Sequence, residues 1–179
     1  MPPPAVIVGF YGKLPSRGDF VRAGLPGGFV TPWDAWFQAV LAESRALLGD
    51  RWLPAWMEAP VWRFLLDAGM CGPDAVLGLW MPSVDRVGRA FPLTIAAVFE
   101  GGPASSAEGW LNAAEACGRQ ALADDLDPAG LTACLPPFAD GRDPAVSGWW
   151  TEGAPLVPAG HRPGGLPDGA DFATMLAGP

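Results

Sequence analysis

Ala75-Val76-Leu77-Gly78-Leu79-Trp80-Met81 and Phe91-Pro92-Leu93-Thr94-Ile95-Ala96-Ala97-Val98-Phe99 flank the loop Pro82-Ser83-Val84-Asp85-Arg86-Val87-Gly88-Arg89-Ala90. Both flanks are near-continuous apolar runs of strand length, the pattern of strands buried on both faces. The loop between them is too short for a helical crossover, which takes a dozen or more residues. The two strands therefore pair antiparallel, and the sheet they belong to is mixed or antiparallel, not doubly wound throughout.

Further strands are expected over residues 5–11 and 61–66, with a last short one within 149–157. Between them lie helical patterns. Thr31-Pro32 reads as an N-cap followed by proline at the first helical position. From there Trp33, Trp36, Phe37, Val40 and Leu41 recur at helical spacing, and Gly49 closes the run. Other helices are expected at 52–57, from Ser105 or Ser106 to about 126, at 128–134 and at 168–176. Residues 135–148 read as loop. Apolar strands alternating with amphipathic helices imply one central sheet covered on both faces, and 179 residues fit a single domain, 1–179.

Composition narrows the function. Half of the residues are hydrophobic, with nine Trp and nine Phe against one Tyr, so the chain can fill a bulky core. Gly and Pro make up a quarter of the sequence; on so apolar a chain they read as long irregular loops. No apolar run reaches the ~20 residues that span a bilayer. The opening Met1-Pro2-Pro3-Pro4 lacks the basic start of a secretory signal, so a cytosolic location is expected. Net charge is −8, and all of the excess lies in residues 91–179. That balance argues against nucleic acid and anionic membranes, which select basic footprints, and an acidic half of this kind suits a basic partner face. Cys71, Cys117 and Cys134 are widely separated and odd in number, and they read as reduced core thiols without a metal.

Catalytic patterns find little purchase. His161 is the one histidine, set among Gly and Pro, and no Gly-x-Ser-x-Gly elbow accompanies it. Asp124-Asp125-Leu126-Asp127 reads as a helix end and a solvated turn. Gly12-Lys13-Leu14-Pro15-Ser16-Arg17-Gly18 follows a strand as a phosphate loop would. Its lysine, however, stands after the first glycine, and Pro15 removes an N–H from any anion cradle. What remains are two charged loops leaving strand ends. One carries Lys13, Arg17 and Asp19; the other carries Ser83, Asp85, Arg86 and Arg89. These seven are candidate binding or loop-scaffolding residues, with Asp19 or Asp85 free to pair with a neighbouring arginine.

Six segments carry a resemblance to a known family. They are Gly9-Phe10-Tyr11-Gly12-Lys13-Leu14-Pro15-Ser16-Arg17-Gly18-Asp19-Phe20-Val21, Trp33-Asp34-Ala35-Trp36, Pro60-Val61-Trp62-Arg63-Phe64, the run from Trp80 to Thr94, Ser147-Gly148-Trp149-Trp150 and Gly165-Leu166-Pro167. Together they resemble the TagF/ImpM family, accessory proteins of the bacterial type VI secretion system. The resemblance implies a three-layer α/β/α sandwich. It also implies a non-enzymatic, post-translational repressor that binds a cytosolic forkhead-associated scaffold protein of the apparatus, with no cofactor. Some relatives carry a fused metal-dependent phosphatase domain, and these 179 residues are expected to be the regulatory domain alone. Three other readings remain open: an enzyme with a deep polar pocket, a structural or assembly subunit of the machine, or a small-anion sensor with a pocket near Lys13 and Arg86.

Overall fold

The computed structural model describes residues 5–139 and 145–179. Residues 1–4, and 140–144 within the expected 135–148 loop, lie outside the described part. In chain order the elements are β1 (Ala5–Gly12), β2 (Val21–Ala23), α1 (Gly27–Leu48), a 3-10 turn (Gly49–Arg51), α2 (Trp52–Met57), β3 (Trp62–Leu66), β4 (Ala75–Met81), β5 (Leu93–Glu100), α3 (Glu108–Ala123), α4 (Pro128–Cys134), β6 (Gly148–Thr151), β7 (Gly160–Pro163) and α5 (Gly169–Ala177).

The strands form one seven-stranded sheet in the order β2-β1-β5-β4-β3-β6-β7, and every pair in it is antiparallel. Of the expected mixed or antiparallel sheet, the antiparallel form is present, and the expected three-layer α/β/α sandwich is corrected to a single antiparallel sheet with inserted helices. No parallel crossover joins any two of these strands. The helices are insertions between antiparallel strands, unequal in length and uneven in their cover. β4 and β5 pair in register from Ala75↔Phe99 to Met81↔Leu93, as the short loop between them demands.

Side chains along the strands alternate between two cores, as the period of two requires. Trp62, Phe64, Leu66, Val76, Trp80, Ala96 and Val98 face the core built with α1, α2 and α5. Leu65, Leu77, Leu79, Met81, Leu93, Ile95, Ala97 and Phe99 face the core built with α3 and α4. The first core is aromatic. Phe37 is fully buried and meets Trp33, Trp36, Trp80, Phe91 and Phe172 with ring centroids 4.6–5.8 Å apart. On the second face α3 lies close: a Cβ at Gly118 would stand 2.5 Å from Met81 Cε. Arg63, buried on β3, fixes its position by donating to Glu108 at 2.7 Å and Asn112 at 2.8 Å.

The tryptophans also anchor the loops, each through a polar N–H on an apolar body. Trp36 donates to the Pro167 carbonyl, Trp149 to Gly165, Trp62 to Met175 and Trp110 to Pro136. The loop carbonyls of Gly165, Pro167 and Pro136 are thereby tied to β6, α1 and α3, and helix α5 is tied to β3.

Several expectations shift in detail. α1 begins at Gly27, a turn before Thr31, so Pro32 lies inside the helix. There it forgoes the hydrogen bond to the Gly28 carbonyl, against which Gly72 packs at positive φ. The last strand stops at Thr151, and β7 follows as an unpredicted edge strand. Cys117 and Cys134 form a disulfide between α3 and α4, leaving Cys71 as the free buried thiol. This corrects the reading of three reduced thiols: α4 folds back onto α3 and brings two distant cysteines together. Burial pushes the Cys71 thiol up to about 12, which keeps it protonated and unreactive.

Two outcomes are expected. Phe37→Ala empties the aromatic core and lowers stability by about 3–5 kcal/mol, read as a drop of roughly 6–20 °C in thermal unfolding. Peptide mapping of non-reduced protein finds Cys117 joined to Cys134 and Cys71 open to alkylation only after denaturation; alkylation of Cys71 in the native protein would contradict its burial.

Candidate functional site

β5 lies between β1 and β4 in the sheet. Gly12 pairs with Leu93 and Met81 pairs with Leu93, so the C-terminal ends of β1 and β4 sit on either side of the start of β5. The two charged loops, β1–β2 and β4–β5, therefore leave the same end of the sheet side by side. Gly12 permits the approach: its φ is 145°, and a Cβ there would collide with the Pro92 carbonyl.

The loops are bound together through one buried ion pair. Lys13 Nζ stands 2.9 Å from Asp85 Oδ2, with the carboxylate wholly shielded from solvent. The main chain of both loops is organised around it. Asp85 Oδ1 accepts from the N–H groups of Val87 at 3.1 Å and Arg89 at 2.9 Å, and Oδ2 accepts from Arg89 Nε at 2.6 Å. These bonds close the β4–β5 loop on itself, with Gly88 at φ 87° making the turn. Ser83 Oγ donates to the Lys13 carbonyl at 2.8 Å, Arg86 N–H to the Arg17 carbonyl at 2.8 Å, and Arg89 Nη2 to the Gly18 carbonyl at 2.9 Å. Below, Trp56 donates to the Ser83 carbonyl at 3.1 Å.

Burial alone would raise the pKa of Asp85. The Lys13 ammonium, the Arg89 N–H and the Arg89 guanidinium outweigh it and hold the carboxyl well below the usual carboxylate range. Phe20 closes the edge: its ring stacks on Tyr11 at 5.5 Å, and Lys13 Nζ lies 5.1 Å from its centroid. Tyr11 in turn donates to Asp34 at 2.6 Å. Burial, then the hydrogen bond to Asp34 and its charge, pushes the phenol up.

Of the seven sequence candidates, Lys13, Ser83, Asp85 and Arg89 share this network. Arg17 and Arg86 contribute backbone to it while their side chains are exposed. Asp19 is exposed, and its carboxylate accepts only from the N–H of Phe20. Of the two carboxylates considered as arginine partners, Asp85 takes that role and Asp19 does not. His161 is exposed on edge strand β7, opposite Trp150. Asp127 caps α4 by accepting from Gly130 N–H. Among the described residues no three metal-ligating side chains converge, and no helix is long and apolar enough to cross a membrane. Sequence reasoning missed Arg63, whose charge is buried against α3. The signal was present, an arginine inside an otherwise apolar strand.

An open groove of about 670 Å³ adjoins the loops, running from Met57 past Pro82 to Arg119, Leu122 and Pro155. A smaller depression continues it to Pro15, Ser83 and Val84.

One comparison with known proteins names a family. The family model described as the TagF N-terminal domain, type VI secretion system-associated, matches residues 9–136. Among solved structures, the chain is similar to PA0076 from Pseudomonas aeruginosa PAO1. The two share 34% identity and a TM-score of 0.84, over 96% of this chain and 94% of that one. No curated protein matches the chain.

The pH dependence of the ion pair follows from the direction of its shift. A carboxylate whose folded pKa is depressed adds stability above its unfolded value near 3.9 and loses it as pH falls toward the folded value. Asp85→Asn is therefore expected to lower the melting temperature by several degrees at neutral pH, with the gap from wild type closing below about pH 4. Asp19→Asn, at an exposed site, is expected to stay within about 0.5 kcal/mol of wild type. Thermal unfolding across a pH series reads both.

Proposed function

The chain belongs to the type VI secretion-associated TagF N-terminal family, and we propose that it acts there as a non-enzymatic repressor. It binds a cytosolic forkhead-associated scaffold protein of the apparatus and holds that scaffold out of assembly. The observation that carries this reading is the fate of the two charged loops. Their inner residues, Lys13 and Asp85, neutralise each other in a buried pair, while their outer residues, Arg17 and Arg86, stand in solvent. Such an arrangement gives a rigid surface, and rigid surfaces recognise proteins at low entropic cost. It also weakens the small-anion sensor reading, because the Lys13 ammonium is already held by Asp85.

A repressor of this kind acts by occupancy, so its effect scales with its concentration relative to the scaffold. Overproduction is expected to reduce export of a secreted marker protein, and deletion to raise it. Raising the scaffold in parallel restores export in proportion, since no turnover amplifies the inhibitor. Loss of export on deletion would instead make the chain an assembly component.

A further inference from the structure

The two-loop end of the sheet differs in charge from the rest of the molecule. The chain carries −8 overall, yet residues 13–20 and 82–92 hold four of its eleven basic residues against two carboxylates. Lys13 and Asp85 pair with each other inside the fold. The surface of the two loops is thus left with Arg17, Arg86 and Arg89 against one acid, Asp19. Arg86 and Arg89 both converge on Gly18: a Cβ there would stand 3.3 Å from Arg86 Nη2, and Arg89 Nη2 donates to the Gly18 carbonyl. The side chain of Arg89 remains 65% exposed despite its bond to Asp85. No ion pair joins Arg17 or Arg86 to a carboxylate among the described residues. The Arg86 and Arg89 guanidiniums, both held against Gly18, repel each other, and a negatively charged group placed against them relieves that repulsion.

Apolar surface accompanies the charge. Val87, at the tip of the β4–β5 loop, is 70% exposed, and Met57 is 60% exposed. Met57, Pro82 and Leu122 line both the large groove and the depression that reaches Pro15 and Val84 in the charged loops. The groove itself carries one acid and one base, Glu58 and Arg119; an exposed apolar strip adjoining the loop arginines has the composition of a protein-binding surface, where apolar anchors supply affinity and charge supplies orientation and rate.

We propose that this end of the sheet, Arg17, Arg86 and Arg89 beside the apolar groove at Met57 and Leu122, is the docking surface for an acidic segment of the partner protein that carries an apolar anchor. The proposal rests on the scaffold-binding reading above and fixes the chemistry of the partner's face as acidic. A basic face, which the acidic second half of the sequence had suggested, would be repelled here.

The test is calorimetric titration of the purified scaffold protein with wild type, the Arg17→Glu/Arg86→Glu double variant, Met57→Glu and Asp19→Asn. Arg17, Arg86, Met57 and Asp19 are exposed, so all the variants are expected to melt with wild type; the melting temperature is measured to confirm it. The double variant is expected to bind at least about tenfold more weakly and with a flatter salt dependence. Met57→Glu should weaken binding as well. Asp19→Asn, which removes the exposed acid of the two charged loops, should strengthen it. The opposite signs, tighter binding by the double variant and weaker by Asp19→Asn, would overturn the proposal in favour of a basic partner face. Wild-type affinity in the double variant and in Met57→Glu would overturn it while leaving scaffold binding intact. Absence of saturable binding by wild type would defeat the scaffold reading itself, and this proposal with it.

Discussion

One buried ion pair holds the two-loop end of the sheet in shape. Lys13 and Asp85 come from loops far apart in sequence, and a charge in a protein interior needs a partner: Lys13 has Asp85, and Asp85 has Lys13 and Arg89. Each therefore fixes the other's position. Once the carboxylate is held, its remaining lone pairs collect the N–H groups of Val87 and Arg89, and the β4–β5 loop closes on itself. The β1–β2 loop follows, because the Lys13, Arg17 and Gly18 carbonyls accept from Ser83, Arg86 and Arg89. Two segments rich in glycine and proline, which would otherwise sample many conformations, become a fixed surface.

The sheet makes that pairing possible. Because β5 separates β1 from β4 and every neighbour is antiparallel, both loops must leave the same end. The aromatic core behind them supplies the floor. Phe91 packs against Tyr11, Phe20 and Phe37, and Trp56 reaches up to the Ser83 carbonyl. Core packing, loop geometry and surface charge thus form one continuous structure from α1 to the exposed arginines. The resemblance to PA0076 over nearly both full chains extends to this whole arrangement of strands and helices.

Much of the fold was legible because its signals are local. The runs at 75–81, 52–57 and 128–134 carry periodicity and caps strong enough to give their elements at the observed bounds. Non-local features were not legible. The start of α1 is set by Pro26 and by Gly72 packing on the Gly28 carbonyl, so the stronger local cap at Thr31-Pro32 misled. β7 has no apolar alternation, since Gly160, His161, Arg162 and Pro163 form an edge that borrows its order from β6. The Cys117–Cys134 contact depends on α4 folding back onto α3. Layering failed for a related reason: helices read correctly in sequence do not reveal how evenly they will cover a sheet. At the site, sequence picked out the two charged loops, but only the structure divides their residues into an inner pair and an outer rim.

The proposed docking surface depends on that division: an inner ion pair builds the surface, and the outer rim is proposed to meet the partner. Hydrogen exchange of the chain, alone and with the scaffold protein bound, tests it most directly. Binding is predicted to slow exchange in residues 13–20, 82–92 and at the C-terminal end of α2, and to leave the β6–β7 edge unchanged. Protection confined to the β6–β7 edge or to α5, with the two loops exchanging as in the free protein, would contradict it.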